Sequence, residues 1–552
     1  MSISGAGNET GTTLTDDVVE CSVDFRGKPS VRSSSGGWRS CGFIIGAEVS
    51  EKFAYYGIAT NLITYFTGPL GESTAAAASN VNLWVGTAAV LPLFWGSIAG
   101  SFLGRFCTIL GLGLLTFSTT IPSLSKDEET LVSCVSQVKV TIFFCALYLI
   151  AVGEGGFKAC LRAFGADQFD EHHPEESKTK SSYFNWLYFA IAFGIFSTRF
   201  VSNYIQENLS WALGFGIPCI SMMLALFFFL LGTNTYRFRT GGEGRKQNNP
   251  FVRIGRVFLA AAKNRRQTSS DSSLLLPIDN SKKFRFLDRA AISCDSSEVE
   301  EARAVLSLLP VCMCCLVFGI VYAQTSTFFT MQGSTMNRSI SSRLLVPAAT
   351  LQCFVSLTVI VSIPIYDRLF VPFARSITRK PAGITTLQRI CTGAFLLILS
   401  MSIAALVEMK RLKTARDHGL VDSHKATVPM SICWLIPQYV LHGVSEVFAM
   451  VGLQEFLYGQ VPVELRSLGL SLYLSVIGTG FFLSSIMVLV IERITSQSGQ
   501  VSWFANNLNQ AHLDYFYWLL ACLSSISFVS FVYFSKSHVY NIQTKLSEDL
   551  EE

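Results

Sequence analysis

Gly46-Ala47-Glu48-Val49-Ser50-Glu51-Lys52-Phe53-Ala54-Tyr55-Tyr56-Gly57 stands inside the first long apolar stretch of the chain. A charge at the centre of a membrane span costs roughly 2.5–3.5 kcal/mol on the insertion scale. Three charges in one helix therefore need mutual pairing or a task. Positions i, i+3 and i+4 share a helical face, so Glu48, Glu51 and Lys52 point the same way. Two carboxylates beside an ammonium in a low-dielectric cavity form a natural proton-binding device. Desolvation, or separation from the lysine, strengthens a carboxylate's hold on a proton. The plainer alternative is a static ion cluster that orients the first helix.

Outward from this segment, apolar stretches of the ~20 residues needed to cross a hydrocarbon core recur along the chain. They fall at 42–67, 80–103, 107–124, 139–162, 183–203, 211–232, 303–330, 344–366, 384–407, 430–454, 467–491 and 515–535, twelve in all. The third is the weakest, short and ending in Thr119, Thr120 and Pro122. Between the sixth and seventh lies a polar connector, 233–301, rich in Arg and Lys from Arg237 to Arg289. Six spans, a basic connector and six spans suggest an internal pseudo-symmetry of the kind transporters use. Phe251 to Ala262 is expected to form an amphipathic helix on the membrane surface. Composition agrees with this layout. Of 552 residues, 50% are hydrophobic and 15% charged, against about a quarter charged in soluble domains. The 43 phenylalanines suit a lipid-facing surface, and a net charge of +4 offers nothing for nucleic acid.

Cations mark the cytoplasmic side of a membrane protein. The connector and the loop at 367–381, with Arg368, Arg375, Arg379 and Lys380, agree with cytoplasmic termini. Lys410, Arg411, Lys413 and Arg416 disagree, falling on the opposite side; a helix extension with solvated charges, interleaved with Glu408 and Asp417, accommodates them. The polar first forty residues hold no apolar core of a cleaved signal peptide, so the first span is expected to direct insertion itself. Three sequons are present, at Asn8, Asn208 and Asn337, of which the last two face outward in this topology. The fifteen cysteines show no metal-ligand spacing and read as small packing residues.

Further candidates lie in other spans. Lys158, in Gly153-Glu154-Gly155-Gly156-Phe157-Lys158, either holds an anionic group of a substrate, pairs with the glutamates of the first span, or snorkels to the interface. Glu446 is the clearest isolated carboxylate of the second half and suits a substrate amine, a proton or a structural cation. Tyr55, Tyr56, Tyr322, Gln324 and Trp434 offer amphipathic surface to a cavity, although membrane aromatics more often serve packing. Arg199 and Glu455 lie near span ends and read as structural, and His442 as a packed or interface residue. No phosphate loop, catalytic triad or H-E-x-x-H pattern occurs, so neither ATP-driven transport nor a membrane enzyme is supported, and no cofactor or metal is expected.

These same residues resemble the plant nitrate transporter 1/peptide transporter family, part of the proton-dependent oligopeptide transporters of the major facilitator superfamily. Glu48-Val-Ser-Glu51-Lys52-Phe53 looks like its E-x-x-E-[RK] motif. Ala163-Phe-Gly-Ala-Asp-Gln-Phe-Asp170, Ser182-Tyr-Phe-Asn-Trp186, the run Gln438 to Phe448, and Gln454-Glu-Phe456 with Val461-Pro462 and Arg466-Ser467 resemble further signatures. The resemblance implies an all-α membrane protein of the major facilitator fold, twelve transmembrane helices in two six-helix bundles, working by proton-driven symport. It implies proton coupling at Glu48, Glu51, Lys52 and Lys158, and substrate contact at Lys158, Tyr55, Tyr56, Tyr322, Gln324 and Glu446. It implies gating by Arg105, Asp367 and Arg368. Tyr322 stands where family members that bind nitrate through histidine carry it. Lys52 replaces the commoner arginine, Gly100 replaces an aspartate, and the third helix looks about nine residues short near Leu110-Gly111.

The expected organisation is a cytoplasmic polar tail (1–40), an N-terminal six-helix bundle (41–232), the basic connector (233–301), a C-terminal six-helix bundle (302–536) and a cytoplasmic tail (537–552). The expected function is proton-coupled transport of nitrate or di- and tripeptides, with a vacuolar or plasma-membrane location. The partners are then a small-molecule substrate, protons and the lipid bilayer, with no nucleic acid. The rivals are a transport-deficient membrane sensor or interaction protein, and a carrier of a hormone-like organic acid.

Overall fold

Helices occupy each of the twelve apolar stretches in the computed structural model, which describes residues 18–95, 100–120, 129–170, 173–239, 250–264, 284, 286–287, 290, 293–341, 344–378, 384–423, 426–460, 466–497 and 501–551. Among these residues eight helical segments are long and apolar enough to cross a bilayer, from Gln137–Gly155 to Leu513–Lys536, with Cys107–Thr120 a shorter one. Backbone packing divides the chain into two units. One comprises Met1–Ile58 and Ala99–Lys246, the other Ala59–Ile98 and Gln247–Glu552.

The first unit opens with a sheet. Strands β1 (Val18–Val23) and β2 (Pro29–Val31) form an antiparallel hairpin, and β3 (Phe238–Arg239) joins the other edge of β1. Helix α1 (Gly37–Ala59) follows. The sheet is locked by Arg237, whose side chain is buried. Its guanidinium donates to the carbonyl of Ser35 at 2.7 Å and to Glu176 at 2.7 Å, while Gln168 accepts from its backbone N–H at 2.9 Å. Arg32 adds an ion pair to Asp170 at 2.9 Å. Partial burial alone would raise the Glu176 carboxyl. The hydrogen bonds from Arg237 and the Asp170 N–H, and the charges of Arg237 and Arg32, outweigh it and hold Glu176 below the usual carboxylate range.

Four long helices complete this unit: α5 (Gly100–Thr120), α6 (Glu129–Ala166), α7 (Pro174–Asn208) and α8 (Trp211–Leu231), after α2 (Leu62–Thr67), α3 (Thr74–Val90) and α4 (Pro92–Trp95), which belong to the second unit. The third span is short, as expected: its apolar part, Cys107–Thr120, is shorter than the eight spans and ends a helix of 21 residues. Gly111 lets α5 lie on α6: a Cβ there would stand 2.7 Å from Ile150 and 2.9 Å from the Ala146 carbonyl.

The second unit holds α9 (Pro250–Lys263) and α10 (Ser296–Ser307), then α11 (Leu309–Tyr322), α12 (Phe328–Ser334), α13 (Cys353–Ile365), α14 (Val371–Thr378), α15 (Thr386–Asp417), α16 (Ile436–Gly459), α17 (Arg466–Gln497) and α18 (Leu513–Glu551). A π-helical turn, Tyr366–Phe370, joins α13 to α14. Thr385 and Gln388 form a reciprocal capping box at the start of α15. Helix α9 forms as expected, and part of its apolar surface is covered by the protein: Val257 and Ala261 are buried against Leu287, Ala290 and Val299 of the connector and Ala302 just beyond it.

The cations at 410–416 continue α15, as a helix extension requires, yet Arg411 is not solvated. Arg411 and Glu408 are fully buried and paired bidentately, at 2.6 and 2.8 Å. Arg411 also donates to the Leu508 carbonyl, Asn509 Oδ1 and Thr335 Oγ1. Five N–H groups meet five acceptors, the full capacity of a guanidinium. These bonds gather 501–512, the end of α15, and the strands β4 (Met336–Asn337) and β7 (Val428–Ser431), which pair in parallel, into one cap. Beside it, β5 (Ser339–Ser341) and β6 (Leu344–Leu345) make a small hairpin. A polar cavity of about 510 Å³ opens in the cap, lined among others by Thr64, Glu72, Ser334, Thr335, Asn506 and Asn509. Burial raises the Glu72 carboxyl, offset in part by a hydrogen bond from Asn80.

Candidate functional site

Helix α1 carries Glu48, Glu51 and Lys52 into the interior of the first unit, where all three are buried. Lys52 Nζ lies 2.5 Å from Glu51 and 3.9 Å from Glu48. The third carboxylate around it comes from α6: Glu154, equally buried, at 3.7 Å. Among the described side chains, three carboxyls thus enclose one ammonium in a low-dielectric site, the arrangement in which a proton is held, released and exchanged between neighbours.

Sequence reasoning missed Glu154. The signal was present: an acid in the middle of an apolar run, one helical turn before Lys158 on the same face of α6. The side chain of Lys158 lies outside the described residues, as do those of Arg105 and Asp367; Arg368 is exposed on the π-helical turn. Tyr55 and Tyr56 follow the cluster on α1, in edge contact at 5.3 Å. Arg199, which the sequence marked as structural, is buried over the Tyr56 ring at 5.2 Å. Below them, Gln206 and Ser202 of α7 both donate to the Gly57 carbonyl, fixing α1 just past its charged turn.

The second unit groups the other candidates around Tyr322 at the end of α11. Its hydroxyl lies 3.5 Å from Glu446 Oε1, and its ring packs on His442 at 5.3 Å and on Phe481 at 6.1 Å. His442 is buried, as a packed residue should be. Gln324 is drawn elsewhere: fully buried, it donates to the Ile320 carbonyl and to Ser484 Oγ, which also accepts from Asn82. Trp434 is half exposed beneath the Lys410 ammonium, 3.3 Å from its ring centroid, an interface pairing rather than a cavity wall. Glu455 pairs with Arg389 at 3.1 Å, in keeping with a structural role. No group of His, Cys, Asp and Glu among the described residues has metal-binding geometry.

The sequence profile of the POT family (PTR2) matches residues 102–504. "Protein NRT1/ PTR FAMILY 5.12" of Arabidopsis thaliana is 76% identical over 98% of this chain and 100% of its own length. "Protein NRT1/ PTR FAMILY 5.10" of the same plant is 59% identical over 98% of this chain and 99% of its own. Among solved structures, the POT family transporter PepTSo superposes with a TM-score of 0.67 at 20% identity, covering 91% of this chain and 98% of that one. An auto-inhibited POT family peptide transporter gives 0.66 at 20% identity, over 90% and 97%. Fold and likeness together define an all-α, multi-pass membrane transporter of the major facilitator type, not an enzyme. The chain belongs to the POT family, and the plant relatives that match it along nearly its whole length carry the name NRT1/PTR family 5.

Proposed function

We propose that this transporter is a proton-coupled symporter of a small nitrogen-containing solute, nitrate or a di- or tripeptide, working by alternating access. The observation that carries this reading is the buried cluster of Glu48, Glu51, Glu154 and Lys52. Such a cluster has two charge states close in energy, and a change in its surroundings selects between them. Lys158, one turn beyond Glu154, is the expected fifth member. Tyr55, Tyr56, Tyr322, Gln324 and Glu446 are the proposed substrate contacts, and Arg105, Asp367 and Arg368 the proposed gate. The membrane potential adds about 2.3 kcal/mol per charge per 100 mV, so a proton-loaded carrier accumulates its solute.

Structural neighbours include a POT family peptide transporter and a POT family transporter in complex with 5-aminolevulinic acid. Both ligands are nitrogen-containing, which supports the substrate class. The proposed organisation is two six-helix bundles with cytoplasmic termini, in the vacuolar or plasma membrane. The rival reading, a transport-deficient sensor, rests on Gly100 and on the short apolar part of the third helix, Cys107–Thr120.

The test is uptake into vesicles under an imposed proton gradient, screened with nitrate, dipeptides and plant hormones. Gradient-driven uptake of one nitrogenous solute, lost in Glu48→Gln, Glu51→Gln and Glu446→Gln at normal expression, is expected. Full uptake in all three variants rejects the mechanism; solute binding without flux favours the sensor.

A further inference from the structure

The geometry points to Asn337 as an N-glycosylated residue, and to Asn208 as a sequon that stays bare. The inference rests on the proposed orientation, with both termini cytoplasmic, but on no aspect of transport.

The two acceptor sequences are equivalent as text: Asn337-Arg338-Ser339 and Asn208-Leu209-Ser210. The fold separates them. The segment leading to Asn337, Leu309–Ser334, has 26 residues, divided into α11, a 3-10 turn at Ala323–Thr325 and the short helix α12. Its neighbour α15, tied to it through Arg411 and Thr335, has 32 residues, about 48 Å. Helix α15 is longer than the hydrocarbon is thick, and Asn337 sits in the cap built on its end. Its side chain is exposed. Its Oδ1 accepts from the Ser339 N–H at 3.0 Å.

Asn208 is placed otherwise. It is the last residue of α7, and only Leu209 and Ser210 separate it from α8, whose apolar span starts at Trp211. Its Nδ2 donates to the Tyr204 carbonyl at 3.2 Å, and Ser210 N–H is bonded to Ile205. The nitrogen that would react is committed to capping a helix, in a turn pressed against the membrane. Asn8 lies outside the described residues, on the proposed cytoplasmic tail.

The donor is an oligosaccharide linked to a lipid pyrophosphate, used by a lumenal transferase. Asn337 Nδ2 forms a bond to C1 of the first sugar and gives up one amide proton to the enzyme's base. The C1–O bond breaks, and the lipid pyrophosphate leaves with its electron pair.

The test uses the full chain, tagged at both ends, expressed in plant cells and treated with an endoglycosidase. A single mobility step is expected in the wild type and in Asn208→Gln and Ser339→Thr, and none in Asn337→Gln or Ser339→Ala. Survival of the sequon in Ser339→Thr guards against loss through misfolding. Proteolysis of sealed microsomes reads the tags independently. Cytosolic tags with no mobility step, or a step that disappears with Asn208 instead of Asn337, overturn the assignment. Protected tags overturn it together with the orientation, while the transport reading is judged by uptake alone.

Discussion

Glu154 shows what a sequence conceals at the scale of one residue. The charges on α1 were legible because they crowd into one turn of an apolar helix. Glu154 meets them from α6, and contact between helices distant in sequence has no local signature. Its place beside Lys52 yields a sharp expectation: Glu154→Gln abolishes gradient-driven uptake as completely as Glu51→Gln, by at least tenfold, at unchanged surface expression. Uptake assays on the two variants side by side check this. Arg411 is the second case. Its residue type was read as a solvated surface charge, whereas burial gives it five acceptors. Lysine has three donors and no planar fork. Arg411→Lys and Arg411→Leu are both expected to destabilise, the latter by about 3–5 kcal/mol because Glu408 is left buried and alone. Thermal unfolding in micelles measures it, and Glu408→Leu/Arg411→Leu should recover part of the loss.

At the scale of elements, hydropathy located all twelve helical stretches, because a bilayer imposes one length and one polarity on whatever crosses it. What hydropathy could not supply is how helices end and touch. The N-terminal hairpin pairs with β3 across more than 200 residues of chain, and polar strands of this length carry no periodic signal. The connector helix was recognisable by its amphipathic pattern, but the pattern says only that one face is covered, not by what. Packing between α5 and α6 turns on Gly111. Gly111→Ala puts a methyl 2.7 Å from Ile150 and is expected to cost about 1–3 kcal/mol of stability. A lowered unfolding temperature, with Gly113→Ala as the open-space control, checks it.

The whole molecule should answer acid with opposite signs in two regions. Glu176 has a folded pKa below its unfolded value, so its contribution is present above the ordinary glutamate pKa of about 4.3. That contribution is lost as pH falls through the folded pKa. Glu72 has a raised folded pKa, so protonation favours the folded form and its loop tightens as pH falls through that value. Hydrogen exchange followed across acid pH should show residues 18–36 losing protection while 68–74 gain it. The 32 residues of α15 under the cap have one more consequence. A span whose apolar length matches its bilayer reports on membrane thickness, and such mismatch sorts proteins between organelles. Helix α15 ends instead in a folded polar cap held by Arg411, so its length answers to that anchorage as well as to the bilayer. Removing one turn from that end would dismantle the Arg411 anchorage before it sent the protein to a different compartment.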